Sequence, residues 1–160
     1  MLEVNVVCVG KLKEQYLRDA CAEYSKRLSA FCRLKVIELA AERLSDNPSQ
    51  AEIEKALSLE GKRILEKIPN RAAIITMCIE GRQLSSEELS QKLSSLASQG
   101  IGSVAFVIGG SFGLSQEVKA KSLLRLSVSR MTFPHQMFRV MLLEQIYRAF
   151  QIQNGAKYHK

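Results

Sequence analysis

Apolar residues recur along this chain in two alternating rhythms. Five short runs are nearly unbroken: Leu2 to Val9 (LEVNVVCV), Leu34 to Leu39, Ala72 to Ile79 (AAIITMCI), Ser103 to Ile108 (SVAFVI) and Leu123 to Val128. Their length and β-branched content predict buried strands. Between them the spacing changes to three and four. Leu17, Ala20, Cys21, Tyr24 and Leu28 predict a helix over Glu14 to Leu28. Asp46-Asn47-Pro48-Ser49 is turn chemistry that opens a second helix running to about Lys67, ended by Pro69-Asn70. Ser85 or Ser86 caps a third helix to about Ser98, with Ser85-x-x-Glu88 as a capping box. Ser115 caps a short fourth helix to about Lys121. Thr132 or Phe133 caps a long fifth one to about Gln153, with Pro134 in its first turn. Strand and helix alternating with short joints predict one α/β domain over residues 1–160, with a mostly parallel sheet and helices on both faces.

The last helix carries a surplus. Met137, Phe138, Val140, Met141, Leu142, Leu143, Ile146, Tyr147, Ala149 and Phe150 cover more than one face. A surface helix needs a single apolar stripe. The second face fits either a two-fold homodimer or a helix fully internal to the fold.

Composition narrows the classes. The chain is 46% hydrophobic and 24% charged, which argues against disorder. No stretch approaches a membrane span, and Met1-Leu2-Glu3-Val4 has an acid where a secretory signal carries basic residues, so a cytoplasmic protein is expected. Cys8, Cys21, Cys32 and Cys78 form no CxxC pair, and only two histidines are present, so no metal site is expected. Cys8 and Cys78 read as buried small hydrophobes. The net charge of +7 is uneven. Residues 1–100 carry 15 Lys/Arg against 14 Asp/Glu, and residues 101–160 carry 8 against 2. That imbalance suits a polyanion partner as well as a solubilising face.

Three segments offer chemistry. Met77-Cys78-Ile79-Glu80-Gly81 and Ile108-Gly109-Gly110-Ser111-Phe112-Gly113 end the third and fourth strands, where ligands of parallel sheets bind. The glycine loop fits neither the Walker nor the G-x-G-x-x-G spacing, which disfavours a phosphate cradle. Val128 to Gln136 leads from the fifth strand into the last helix, and Met131 and Phe133 offer apolar walls for a purine; His135 reads as structural. Finally, Gly155 breaks the helix before Lys157-Tyr158-His159-Lys160. With Arg148 this tail is suited to gripping RNA phosphates and stacking on a base, and it also has the composition of a frayed terminus.

The strings FVIGGSFGLS, LSVSRMTFPHQMFRVMLLEQIYRAFQI and the terminal YHK, with VGKLKEQY near the start, closely resemble the RlmH (YbeA) family of the SPOUT superfamily over the full length. These enzymes methylate N3 of a pseudouridine in 23S ribosomal RNA of the large subunit. The resemblance implies a C-terminal trefoil knot, a homodimer and S-adenosylmethionine as methyl donor, with RNA of the large subunit or the assembled ribosome as partner. It assigns cofactor binding to Met77, Gly109, Val128, Ser129, Arg130, Met131, Thr132 and Phe133. Catalysis would fall to His159, Arg148 and Tyr158, and RNA contact to Arg148, Lys157, Tyr158 and Lys160. An imidazole with an ordinary pKa of about 6.5 could take the N3 proton. Alternatively Arg148, Lys160 and Arg130 could stabilise the imide anion with no dedicated base. Two other readings remain: a non-enzymatic RNA-binding or ribosome-assembly protein, and a SPOUT methyltransferase with a different RNA target such as tRNA.

Overall fold

All five apolar runs form strands in the computed structural model, which describes residues 1–159. The elements in order are β1 (Glu3–Val9), α1 (Gln15–Leu28), β2 (Arg33–Leu39), α2 (Gln50–Lys67), β3 (Ala73–Gln83), α3 (Ser86–Ser98), β4 (Ser103–Ile108), α4 (Gln116–Ala120), β5 (Leu124–Ser127) and α5 (His135–Gln153). The strands make one parallel sheet in the order β2-β1-β4-β3-β5. β1 and β4 are central and covered on both faces, which explains their lack of polar alternation.

Alternate side chains of these strands feed two cores. Val4, Val6 and Cys8 of β1 and Val104, Phe106 and Ile108 of β4 pack under α1, α3 and α5. Val7, Val9 and Val107 point the other way, against Ile64 of α2 and Val118 of α4. Ser85 caps through the full capping box its spacing predicts, and Ser49 makes a second such box with Glu52.

Two details depart from the sequence reading, and a third bears on an alternative it left open. First, β3 does not end at Ile79. It runs on to Gln83, and Met77 and Arg82 both pair with Leu126, so the residues between them bulge out of the ladder. The polar character of Glu80, Arg82 and Gln83 hides this continuation from a hydrophobic pattern. Second, Pro134 is the N-cap of α5 rather than a first-turn residue; its ψ of 132° lies outside the helical region. A proline's φ serves either position, so the sequence does not separate them. Third, α5 takes much of its cover from within the chain. Leu142, Leu143, Ile146, Ala149 and Phe150 are buried beneath it, and Tyr147 packs edge-on against Tyr24 of α1 and Phe31. Met137, at 36% exposure, and the half-buried Val140 and Met141 remain open.

Candidate functional site

The carboxyl ends of β3, β4 and β5 meet at a cavity of about 520 Å³. A parallel sheet concentrates ligand sites there because strand ends release their loops on one side. Three chain segments build the walls. The bulge after Met77 supplies Cys78, Ile79 and Glu80. The glycine loop supplies Ile108 to Leu114. The third wall runs from Leu126 to Ser129 and continues through Thr132, Phe133, Pro134, His135 and Phe138.

Chain chemistry fixes each wall. Gly109 cannot carry a side chain: a Cβ there would lie 2.4 Å from the Gly113 carbonyl oxygen and 2.7 Å from its carbon. Gly113, at φ +85°, closes the turn by donating its N–H to the Gly110 carbonyl at 3.1 Å. The third wall holds itself through Ser127 Oγ, which donates to the Ser129 carbonyl, and through the Met131 N–H, which donates to Ser129 Oγ. At the rim, Lys119 Nζ bonds Glu80 at 2.7 Å, and this contact first of all holds the Glu80 carboxyl below its ordinary range.

Of the residues assigned to a cofactor, Met77, Gly109, Val128, Ser129, Thr132 and Phe133 line this cavity. Arg130 and Met131 do not; both are exposed, Met131 at 73%. His135, Phe138 and Ser127 line it without having been singled out as ligand residues.

A second group gathers at the other end of α5. Arg148 bonds Glu144 through Nη2 at 2.9 Å and Nε at 3.3 Å. The Tyr158 hydroxyl donates to the same carboxylate at 2.9 Å, and its ring lies 4.7 Å from the Arg148 guanidinium carbon. Arg148 Nη1 meets His159 Nδ1 at 3.2 Å, and His159 Nε2 meets Glu87 on α3 at 2.6 Å. A guanidinium can only donate, so the network assigns Nδ1 as acceptor and Nε2 as the protonated nitrogen. Burial and the Glu144 hydrogen bond push the Tyr158 phenol up to about 12, so at neutral pH it is a donor and not a base. Lys157 is exposed beside this group, and Lys160 lies outside the described residues. The tail is thus folded back on the helix rather than splayed.

Neither Glu144 nor Glu87 was picked out by sequence reasoning, although the Glu144–Arg148 spacing of four is a helical pair visible in the sequence. Arg139 was also missed. It is 4% exposed, pairs with Glu38 of β2 and donates to the Gly10 carbonyl at 3.2 Å, tying the start of α5 to the end of β1. Nothing in an amphipathic pattern marks a buried arginine.

The two groups are separate within one chain. None of Arg148, Lys157, Tyr158 or His159 lines the cavity, and Phe138, which does, sits ten residues before Arg148, about 15 Å along a helix axis. Among the described residues no cluster of His, Cys, Asp or Glu could hold a metal ion, and no helix is long and apolar enough to cross a membrane.

Comparison with known proteins places this geometry. A family profile described as "Predicted SPOUT methyltransferase" matches residues 2–159. The protein named ribosomal RNA large subunit methyltransferase H of Clostridioides difficile (strain 630) is 51% identical over 99% of this chain and 100% of its own length. Its namesake in Streptococcus uberis is 49% identical with the same coverage. A solved structure described as a probable methylase family protein from Haemophilus influenzae Rd KW20 shares the fold, with a TM-score of 0.56 at 17% identity. It covers all of this chain and 72% of that one.

Proposed function

The chain belongs to the SPOUT methyltransferase family, and from that premise we propose that it methylates large-subunit ribosomal RNA with S-adenosylmethionine as donor, at N3 of a pseudouridine. The observation that carries the reading is the end-to-end match, at about half identity, to enzymes named for methylating ribosomal RNA of the large subunit.

The cavity suits the cofactor. Its volume is in the range of small-molecule sites. Leu126, Val128, Phe133 and Phe138 give it apolar surface for a purine. The bare backbone of Gly109 lets the Gly113 backbone close against it and so shapes this wall of the cavity. Met77, Gly109, Val128, Ser129, Thr132 and Phe133 would hold S-adenosylmethionine, which supplies an electrophilic methyl group when bound. Arg130 and Met131 would then face RNA or a partner rather than the cofactor.

The tail group does the proton work in this reading. N3 of a pseudouridine is an imide nitrogen and must lose its proton to attack. Arg148 places a fixed cation where the imide anion develops, which is worth most when it is preorganised. His159 Nδ1 is the acceptor for the N3 proton once a substrate carbonyl takes its place on Arg148 Nη1. Tyr158 stays protonated and serves as donor and stacking surface. Arg148, Lys157 and Tyr158 would bind RNA; the same role for Lys160 rests on the family resemblance alone.

The distance between cavity and tail supports a homodimer in which each tail serves the partner subunit's cavity. An apolar rim supports it too: Ile79 is 60% exposed, Phe112 50%, Met131 73% and Met137 36%. Exposed apolar residues on the cavity wall (Ile79, Phe112) and on the loop and helix that follow it (Met131, Met137) are suited to burial by a second copy.

Calorimetry with S-adenosylmethionine tests the first step: micromolar binding is expected, and no binding at all would favour a non-enzymatic RNA-binding protein. Sedimentation should give a dimer of the 17.9 kDa chain; a monomer that methylates RNA at full rate would remove the shared-site arrangement.

A further inference from the structure

Only two acidic residues occur between positions 101 and 160, Glu117 and Glu144. The second is placed differently from a surface acid. Its side chain is 18% exposed, and both oxygens are occupied. Oε1 accepts from Arg148 Nη2 and from the Tyr158 hydroxyl, each at 2.9 Å. Oε2 accepts from Arg148 Nε at 3.3 Å and from Gln145 Nε2 at 3.2 Å.

This fork restrains Arg148. Two of its nitrogens are held by one carboxylate, and the Tyr158 ring lies against the guanidinium. Nη1 is the nitrogen left over, and it is the one that meets His159 Nδ1. An ordinary i,i+4 pair would stabilise the helix only slightly and need no tail residue. Here the same carboxylate also anchors the tail.

We propose that Glu144 is a positioning residue for methyl transfer: it fixes Arg148 with Nη1 as the donor offered to the RNA base, and it ties Tyr158 into the same unit. The proposal rests on the methyltransferase reading above. Long side chains lose rotamer entropy on ordering, and a donor already fixed has lost it before the substrate arrives. A base carbonyl that takes the Nη1 hydrogen bond also releases His159 Nδ1. The N3 proton then passes to Nδ1, its electron pair stays on N3, and the resulting imidazolium remains paired through Nε2–H with Glu87.

Glu144→Gln keeps the shape and an acceptor oxygen but removes the charge; Glu144→Asp keeps the charge one methylene short. Full-length variants are assayed with S-adenosylmethionine and ribosomes from cells lacking the protein. Glu144→Gln should lower kcat by about 10- to 100-fold while leaving calorimetric cofactor affinity within about twofold. Glu144→Asp should recover part of the loss. An independent reading is tyrosinate absorbance, with Tyr158→Phe identifying the residue. Tyr158 should ionise below its value of about 12 in Glu144→Gln, because the Glu144 charge is gone and only burial and Tyr24 still oppose the phenolate. Wild-type kcat in Glu144→Gln overturns the proposal, and so does an unmoved Tyr158 titration. If the wild type itself transfers no methyl group, the methyltransferase reading fails, and the tyrosine titration still decides whether Glu144 positions the tail.

Discussion

Replacing Gly109 by alanine tests whether the cavity owes its shape to a backbone-to-backbone approach. The new Cβ would sit 2.4 Å from the Gly113 oxygen, 2.7 Å from its carbon and 3.0 Å from Leu114 Cδ2, where ordinary contact begins at 3.4 Å. The obstructing atoms are backbone and cannot rotate away, so the turn must open by about 1 Å, an overpacking change that costs about 1–3 kcal/mol. If that strain is relieved by deforming the cavity wall, cofactor affinity falls by about 5- to 150-fold, at 1.4 kcal/mol per tenfold. If it stays in the fold, the melting temperature falls by about 2–4 °C for each kcal/mol at this chain length. Gly110→Ala is the control. Its Cβ would meet Val9 Cγ1 at 3.5 Å, an ordinary contact, so its stability should stay within about 0.5 kcal/mol of wild type. Calorimetry with S-adenosylmethionine and a thermal scan of both variants settle the matter. Equal affinity and equal melting temperature for Gly109→Ala, Gly110→Ala and wild type would refute the steric argument.

Other perturbations follow from the same geometry. Removing Tyr158–Lys160 should abolish methylation yet leave cofactor affinity nearly unchanged, as read by methyl incorporation and calorimetry; normal turnover would exclude the tail from the chemistry. Glu38→Gln should cost about 2–4 kcal/mol in urea unfolding and exceed the cost of Arg139→Met, because it strands a charge that is almost fully buried. Glu38 also carries a pH signature. Burial raises its pKa, but the Arg139 hydrogen bond and the Leu12 N–H outweigh it and lower the net value. Its contribution is therefore full above the ordinary carboxylate value of 4.5 and lost as pH falls through the lowered one. Urea midpoints of wild type should drop on acidification, and Glu38→Gln should lack that part of the drop. Burial pushes the Cys8 thiol up to about 12 and Cys32 to about 11, and all four cysteines are buried, so a thiol reagent at about pH 8 should label the chain only after unfolding.

The fold was legible because β1 and β4 are covered on both faces and the first three helices each bury a single apolar stripe. Unbroken runs such as Val4 to Val9 announce a sheet covered on both faces, and serine caps mark three of the five helix starts. The glycine loop and much of the Val128–Phe133 segment were legible as cavity walls because parallel sheets open their clefts at strand ends. Long-range pairing was not legible. The bulge after Met77 depends on β5 pairing twice with β3, and the Arg139–Glu38 pair joins residues 101 positions apart. The tail's composition suggested RNA contact, but its fold depends on Glu144 and Glu87, two acids that a census of basic residues passes over. The exposure of Arg130 and Met131 likewise goes with a loop that turns at Ser129, which spacing alone does not reveal.

The most direct test of the central claim is mass spectrometry of large-subunit ribosomal RNA from cells with and without the protein. Loss of one methyl group from a single pseudouridine, restored by the wild-type chain but not by one lacking Tyr158–Lys160, is the predicted result. An identical methylation pattern in the two strains would contradict it.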